Sequence, residues 1–192
     1  MTRHDDGHWE TYNARQRDRP VRDLCRRALT LTGPGAGRTA VDLGCGAGRE
    51  TEALLRAGWR VLAVDRGPAL DIPANDLLTV LAAGFEELDG LPPADLVYAG
   101  YALPYQTRES FDRLWTVIRS ALRPGGRVAV DVFGVHDSWA GDPTGTYLTA
   151  DEARALADGL TIEHWHEVDA PGPAFSGPKH WHTFELIARR PQ

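Results

Sequence analysis

Residues 39–66 read TAVDLGCGAGRETEALLRAGWRVLAVDR, and the order of residue types in this stretch decides the fold. Ala40 to Leu43 is a short apolar run that ends at a turn carrying Gly44, Gly46 and Gly48. Arg49 to Ala57 has helical character, with Leu54 and Leu55 apolar, and Gly58 stands where a helix-terminating glycine is expected. A second apolar run, Val61 to Val64, ends at Asp65. The whole is strand, tight turn, helix, strand: a βαβ unit. The glycines allow backbone angles that a Cβ forbids and let a ligand approach the main chain. The unpaired amides at the start of the helix face the same place. An acidic residue about 20 residues on, at the end of the next strand, suits a ribose diol. The unit therefore predicts a site for a nucleoside-containing cofactor.

The dinucleotide pattern G-x-G-x-x-G is not met. The third glycine comes one residue early, and Arg49 stands where that pattern wants glycine. The form present is D-x-G-x-G-x-G, and Asp42 suits a cofactor bearing an ammonium group rather than a pyrophosphate. VDLGCGAGRET followed by AVDRG resembles the first two motifs of class I S-adenosylmethionine-dependent methyltransferases, and LRPGGRVAVDVFG resembles a further stretch of that class. The resemblance implies an α/β fold: a Rossmann-like, doubly wound, seven-stranded sheet in the order 3-2-1-4-5-7-6, mostly parallel with an antiparallel last strand. It implies S-adenosyl-L-methionine as cofactor, S-adenosyl-L-homocysteine as product, and a glycine loop (Gly44, Cys45, Gly46, Gly48) under the methionine half. Asp65 and Arg66 then lie by the ribose. Phe85 and Glu86 occupy the adenine place after the third strand, and Gly100 ends the fourth strand beside the methyl group. The A-L-P-Y, F-G-x-x-D-S-W and G-x-K-H-W-H-x-F stretches are similar to small bacterial tellurite-resistance (TehB)-like members.

Composition bounds the partners. A length of 192 residues with 42% hydrophobic content is expected to form one globular domain with its own core. The net charge of −6 argues against nucleic acid as a partner, and no apolar run is long enough to span a membrane. The opening MTRHDDGHWETY has no apolar stretch, so no secretory signal is expected, and two cysteines make no disulfide framework. A cytoplasmic monomer or homodimer is the expectation.

Residues 1–8 are polar and expected to be loose, and 9–31 to be helical, with Leu24, Ala28 and Leu31 recurring on one side. By position this segment closes over the cofactor, with Tyr12 and Arg19 as its contacts and an arginine on the methionine carboxylate. RGPALDIPAN leaves little room for a helix after Asp65. Strands are expected at 77–82, 94–100, 128–133, 160–168 and 180–188, the last two as an antiparallel pair. Ser110 to Leu122 is an amphipathic helix, and Thr149 with Glu152 forms a capping box. Tyr101 after the fourth strand, His136 in the long loop 134–148 and His182 on the last strand are the candidate catalytic residues. Strand alternation puts His180 and His182 on one face and Trp181 and Thr183 on the other. No metal is expected, because no carboxylate cluster or cysteine was seen to complete the histidines.

The function expected is methyl transfer to a small-molecule acceptor such as a thiol, amine, hydroxyl or metalloid. A Rossmann-type NAD(P)-dependent oxidoreductase and a non-catalytic cofactor-binding protein are the alternatives.

Overall fold

The computed structural model describes residues 6–175 and 177–192. The elements, in order, are α1 (Asp6–Gln16), α2 (Asp23–Thr32), β1 (Thr39–Leu43), α3 (Arg49–Arg56), β2 (Arg60–Asp65), β3 (Leu78–Ala82), β4 (Ala94–Ala99), α4 (Arg108–Ala121), β5 (Leu122–Gly134), β6 (Tyr147–Leu148), α5 (Ala150–Ala155), β7 (Thr161–Ala174) and β8 (Gly177–Arg189). The sheet runs β3-β2-β1-β4-β5-β8-β7, with β6 attached to β5. β8 is antiparallel to both neighbours, while β1 to β5 run parallel. This is the expected order with one addition, the two-residue β6, which makes eight strands rather than seven.

The N-terminal segment departs from expectation. Residues 1–5 of the stretch expected to be loose lie outside the described residues, and Asp6 to His8 already belong to α1. The single helical segment over 9–31 is two helices, broken across Arg17 to Arg22, where Pro20 has no amide to continue the ladder. The join between the helix expected to end at Leu122 and the strand expected over 128–133 is also different. β5 starts at Leu122, paired with Ala94, and the register shifts before Leu96 meets Arg127. Arg123 to Gly126 therefore bulge out of one long strand, with Gly125 at φ 78°.

Alternation along the central strands divides the core. Val97, Val128, Val130, Phe184 and Leu186 pack with Phe111, Leu114 and Ile118 of α4 on one face. Leu96, Tyr98, Ala129 and Ile187 pack with Leu24, Cys25 and Ala28 of α2 and Leu54 of α3 on the other. The Thr149–Glu152 capping box forms as expected. No described helix is long and apolar enough to cross a membrane.

Candidate active site

The ends of β1 and β2 lie side by side, Leu43 opposite Val64, so the glycine turn and Asp65 open at the same edge of the sheet. Gly44, Gly46 and Gly48 have φ of 74°, 49° and 80°, the left-handed region that excludes most side chains. Asp65 ties the turn together. Its Oδ2 accepts the Gly46 amide at 2.9 Å and its Oδ1 the Gly67 amide at 2.9 Å. Between these groups and α1 is a cavity of about 460 Å³.

Most of the predicted cofactor residues line this cavity: Tyr12, Arg19, Asp42, Gly44, Cys45 and Gly46 among them. Asp65, Arg66, Phe85 and Gly100 line it as well. Two do not. Gly48 caps α3 and packs toward Leu70, so it shapes the turn without facing the cavity. Glu86 sits at the rim, ion-paired with Arg66 and half exposed.

Sequence reading missed several wall residues. Asn13 and Gln16 join Trp9 and Tyr12 on one stripe of α1, a spacing of three, four and seven that was legible in the sequence. Arg22 lines the cavity as well. The choice of Arg19 for a carboxylate is weakened, because its guanidinium is already committed: Nη1 and Nη2 donate to the two Glu50 oxygens at 2.6 and 2.5 Å. Arg22 donates to the Tyr12 hydroxyl at 3.1 Å, and the Nε of each of the two arginines is buried without a hydrogen-bond partner.

Asp42 is 1% exposed and accepts from Thr51 Oγ1 at 2.6 Å. Burial pushes its pKa up to about 7 despite that bond, with the Glu50 and Asp65 charges adding to the rise. The Tyr98 hydroxyl beside Gly100 is buried and has no partner. Tyr101 is held at φ 50°, strain of the kind found where a side chain is aimed for function.

A second cavity of about 480 Å³ continues from the first, sharing Trp9, Tyr12, Gln16, Arg22, Tyr101 and Tyr105. Trp139, Phe175, Trp181 and Thr183 extend it toward the β7–β8 hairpin.

Of the candidate catalytic residues, only Tyr101 reaches the cavities; His136 and His182 line neither. His182 leaves β8 on the face opposite Trp181 and is buried. Its Nδ1 accepts the His136 amide at 3.0 Å, which leaves the proton on Nε2, 3.2 Å from Glu167. Asp169 bridges His136 at 2.9 Å and His180 at 2.5 Å. Carboxylates therefore do stand among these histidines, contrary to the sequence reading, because β7 brings Glu167 and Asp169 alongside β8. Hydrogen bonds from His180 and His136 hold the Asp169 carboxyl down at about 2.

Asp131 of β5 lies on the same face as Ala129 and is 1% exposed. Neither of its oxygens has a hydrogen-bond partner of good geometry. Burial pushes its pKa up to about 7, helped by the Glu185 charge and opposed by Arg22 and the Tyr101 amide. The folded form then binds more protons than the unfolded chain between about pH 4 and pH 7, so this group makes stability fall as pH rises through that window. Asp131→Asn is expected to gain on the order of 2–3 kcal/mol relative to the parent between pH 5 and 8. Urea unfolding across that range measures it, and parallel pH profiles for the two proteins would refute it.

A family model described as a methyltransferase domain matches residues 41–130. Among solved structures, 1,6-didemethyltoxoflavin-N1-methyltransferase of Burkholderia thailandensis, determined with 1,6-didemethyltoxoflavin and S-adenosylhomocysteine, is 23% identical with a TM-score of 0.67, covering 89% of this chain and 78% of that one. TehB of Haemophilus influenzae is 14% identical with a TM-score of 0.72, covering 95% and 67%. The N-methyltransferase NodS of Bradyrhizobium japonicum WM9, in complex with S-adenosyl-L-homocysteine, is 14% identical with a TM-score of 0.68, covering 96% and 99%. No curated protein sequence matches. The match over residues 41–130 and the sheet shared with these structures give the chain the fold of class I S-adenosylmethionine-dependent methyltransferases.

Proposed function

We propose that the chain is an S-adenosylmethionine-dependent methyltransferase acting on a small-molecule acceptor, with residues 6–31 as the cover of the cofactor site. The observation that carries this is the open cavity joining the glycine turn to two carboxylates, Asp42 and Asp65. Its volume is in the range of about 300–1,000 Å³ usual for such ligands. The buried Tyr98 hydroxyl and Arg22 Nε are polar groups left without protein partners on its wall, which fits a polar ligand.

Bound there, the cofactor would supply an activated methyl group, its sulfonium keeping the electrons of the C–S bond as an acceptor lone pair takes the methyl. The chain's own work is binding and exclusion of water. Asp65 retains lone pairs beyond its two amide bonds, and these would take the ribose hydroxyls. Phe85, buried at the cavity wall, would stack on the base. Arg22 is the arginine for the methionine carboxylate, since Arg19 is spent on Glu50. Tyr101 and Tyr105 form the wall between the two cavities, where the reacting atoms must align. A thiolate or neutral amine would need no base there.

Asp42 faces the ammonium in this reading. An ammonium prefers the ionised carboxyl, so S-adenosylhomocysteine should release a proton on binding and bind roughly five- to tenfold more weakly at pH 6 than at pH 7.5. Calorimetric titration in buffers of different ionisation enthalpy tests both statements, and Asp42→Asn should flatten the pH dependence. Absence of any binding by S-adenosylhomocysteine, or preferential binding of a nicotinamide dinucleotide, would defeat the proposal.

A further inference from the structure

The second cavity carries a statement about the acceptor. Seven of its walls are aromatic rings: Trp9, Tyr12, Tyr101, Tyr105, Trp139, Phe175 and Trp181. They meet edge to face, Trp9 with Tyr105 at 4.8 Å, Tyr12 with Phe175 at 5.6 Å and Trp139 with Trp181 at 5.7 Å. Such contacts hold the rings as rigid walls and leave flat faces between which a flat molecule can slide.

An aromatic enclosure can also serve as a cage for an ammonium ion. Here four of the rings already carry a cation over one face. The Nζ of Lys179 lies 3.3 Å from the centroid of Trp139 and 3.8 Å from that of Trp181. The guanidinium of Arg22 stands 4.7 Å over Tyr101, and that of Arg15 stands 5.0 Å over Phe175. Lys179 is itself buried and paired with Asp137 at 2.6 Å, so its ammonium stays where it is. A second cation would meet polarised rings and like charge. Asp131 does not reverse this, since it lines neither cavity and its pKa is raised toward neutrality.

Size points the same way. A volume of about 480 Å³ is far more than a halide or a metalloid oxyanion fills, and most of the wall is ring surface, which suits a larger molecule with few polar groups. We infer that the acceptor is a planar, ring-bearing molecule, neutral or anionic, held between the α1 stripe and the Trp139–Trp181 pair. This rests on the methyltransferase reading for the word acceptor; the binding preference stands on the cavity alone.

The test is isothermal titration of the full chain, with and without saturating S-adenosylhomocysteine. The probes are 2-naphthol, 2-naphthoate, 2-naphthylmethylammonium and tellurite. The expected result is that the naphthol or the naphthoate binds at least about tenfold more tightly than the ammonium, which corresponds to one like-charge contact, and that tellurite gives no heat. Trp181→Leu should weaken the planar probes by about tenfold, and Phe175→Leu, at the exposed rim, repeats the test should the first variant fold poorly. Equal or tighter binding of the ammonium, measurable binding of tellurite, no binding of any planar probe, or indifference to both substitutions would each overturn the inference. Planar-probe selectivity without S-adenosylhomocysteine binding would instead remove the methyltransferase reading and leave this one standing. Cofactor binding without selectivity would do the reverse.

Discussion

Asp65→Ala is expected to weaken S-adenosylhomocysteine binding by about 100-fold, read by calorimetric titration. Two losses combine. The carboxylate would no longer take the ribose hydroxyls, and hydrogen bonds to a charged group contribute about 1.5–3 kcal/mol. It would also release the Gly46 and Gly67 amides, each held at 2.9 Å, so the turn would lose its fixed shape before the ligand arrives. Each 1.4 kcal/mol is a factor of ten in affinity. Asp65→Asn keeps one acceptor oxygen and should lose about tenfold. An alanine variant that binds within twofold of the parent would show that the ribose lies elsewhere.

Glu50→Ala is expected to destabilise the fold by about 3 kcal/mol, the scale for stripping one partner from a buried ion pair. Glu50 lies in the first turn of α3, and its side chain is 6% exposed. It holds Arg19 through both oxygens and also accepts the Arg22 amide at 3.0 Å. It is thus the clasp between the helix after the glycine turn and the link from α1 to α2. Burial works against its charge, but Arg19 and the Arg22 amide outweigh this and hold its pKa below the usual range. The sign follows: the contribution is complete above the unfolded value near pH 4.3 and is lost as pH falls through the lower folded value. Denaturant unfolding of parent and variant at pH 7 and pH 3 should therefore show a gap that narrows in acid. Because the clasp also places Arg22, the variant should bind S-adenosylhomocysteine more weakly at neutral pH. Equal midpoints at pH 7 would mean that the pair is no more than a surface contact.

The parts of this site that were legible in the sequence are local ones. Strand, glycine turn, helix and Asp65 follow one another within a single βαβ unit, so spacing alone predicts that they converge. The β7–β8 pair was legible for a similar reason, as two alternating runs joined by a short link. The second cavity was not, because its rings come from α1, the segment after β4, the loop after β5 and the last hairpin, and no periodicity in one segment reports on another. The histidines show the same limit. Alternation correctly separated His182 from Trp181, but which face meets the ligand is decided by where α1 and α2 pack. The chemistry of imidazole pointed to His136 and His182, which line neither cavity. Arg19 and Arg22 were likewise interchangeable on paper until Glu50 was seen to claim the first.

Lys179 is the chain's one lysine, and it is buried against Asp137 with two indole rings over its ammonium. Lysine-directed reagents therefore have a single internal target, and in the native state it is shielded. Acylation by an amine-reactive ester, or a cut by a lysine-specific protease, can occur only when the last hairpin and the loop after β5 swing apart. The rate of that one modification becomes a built-in clock for local opening, readable by mass spectrometry without any engineered label.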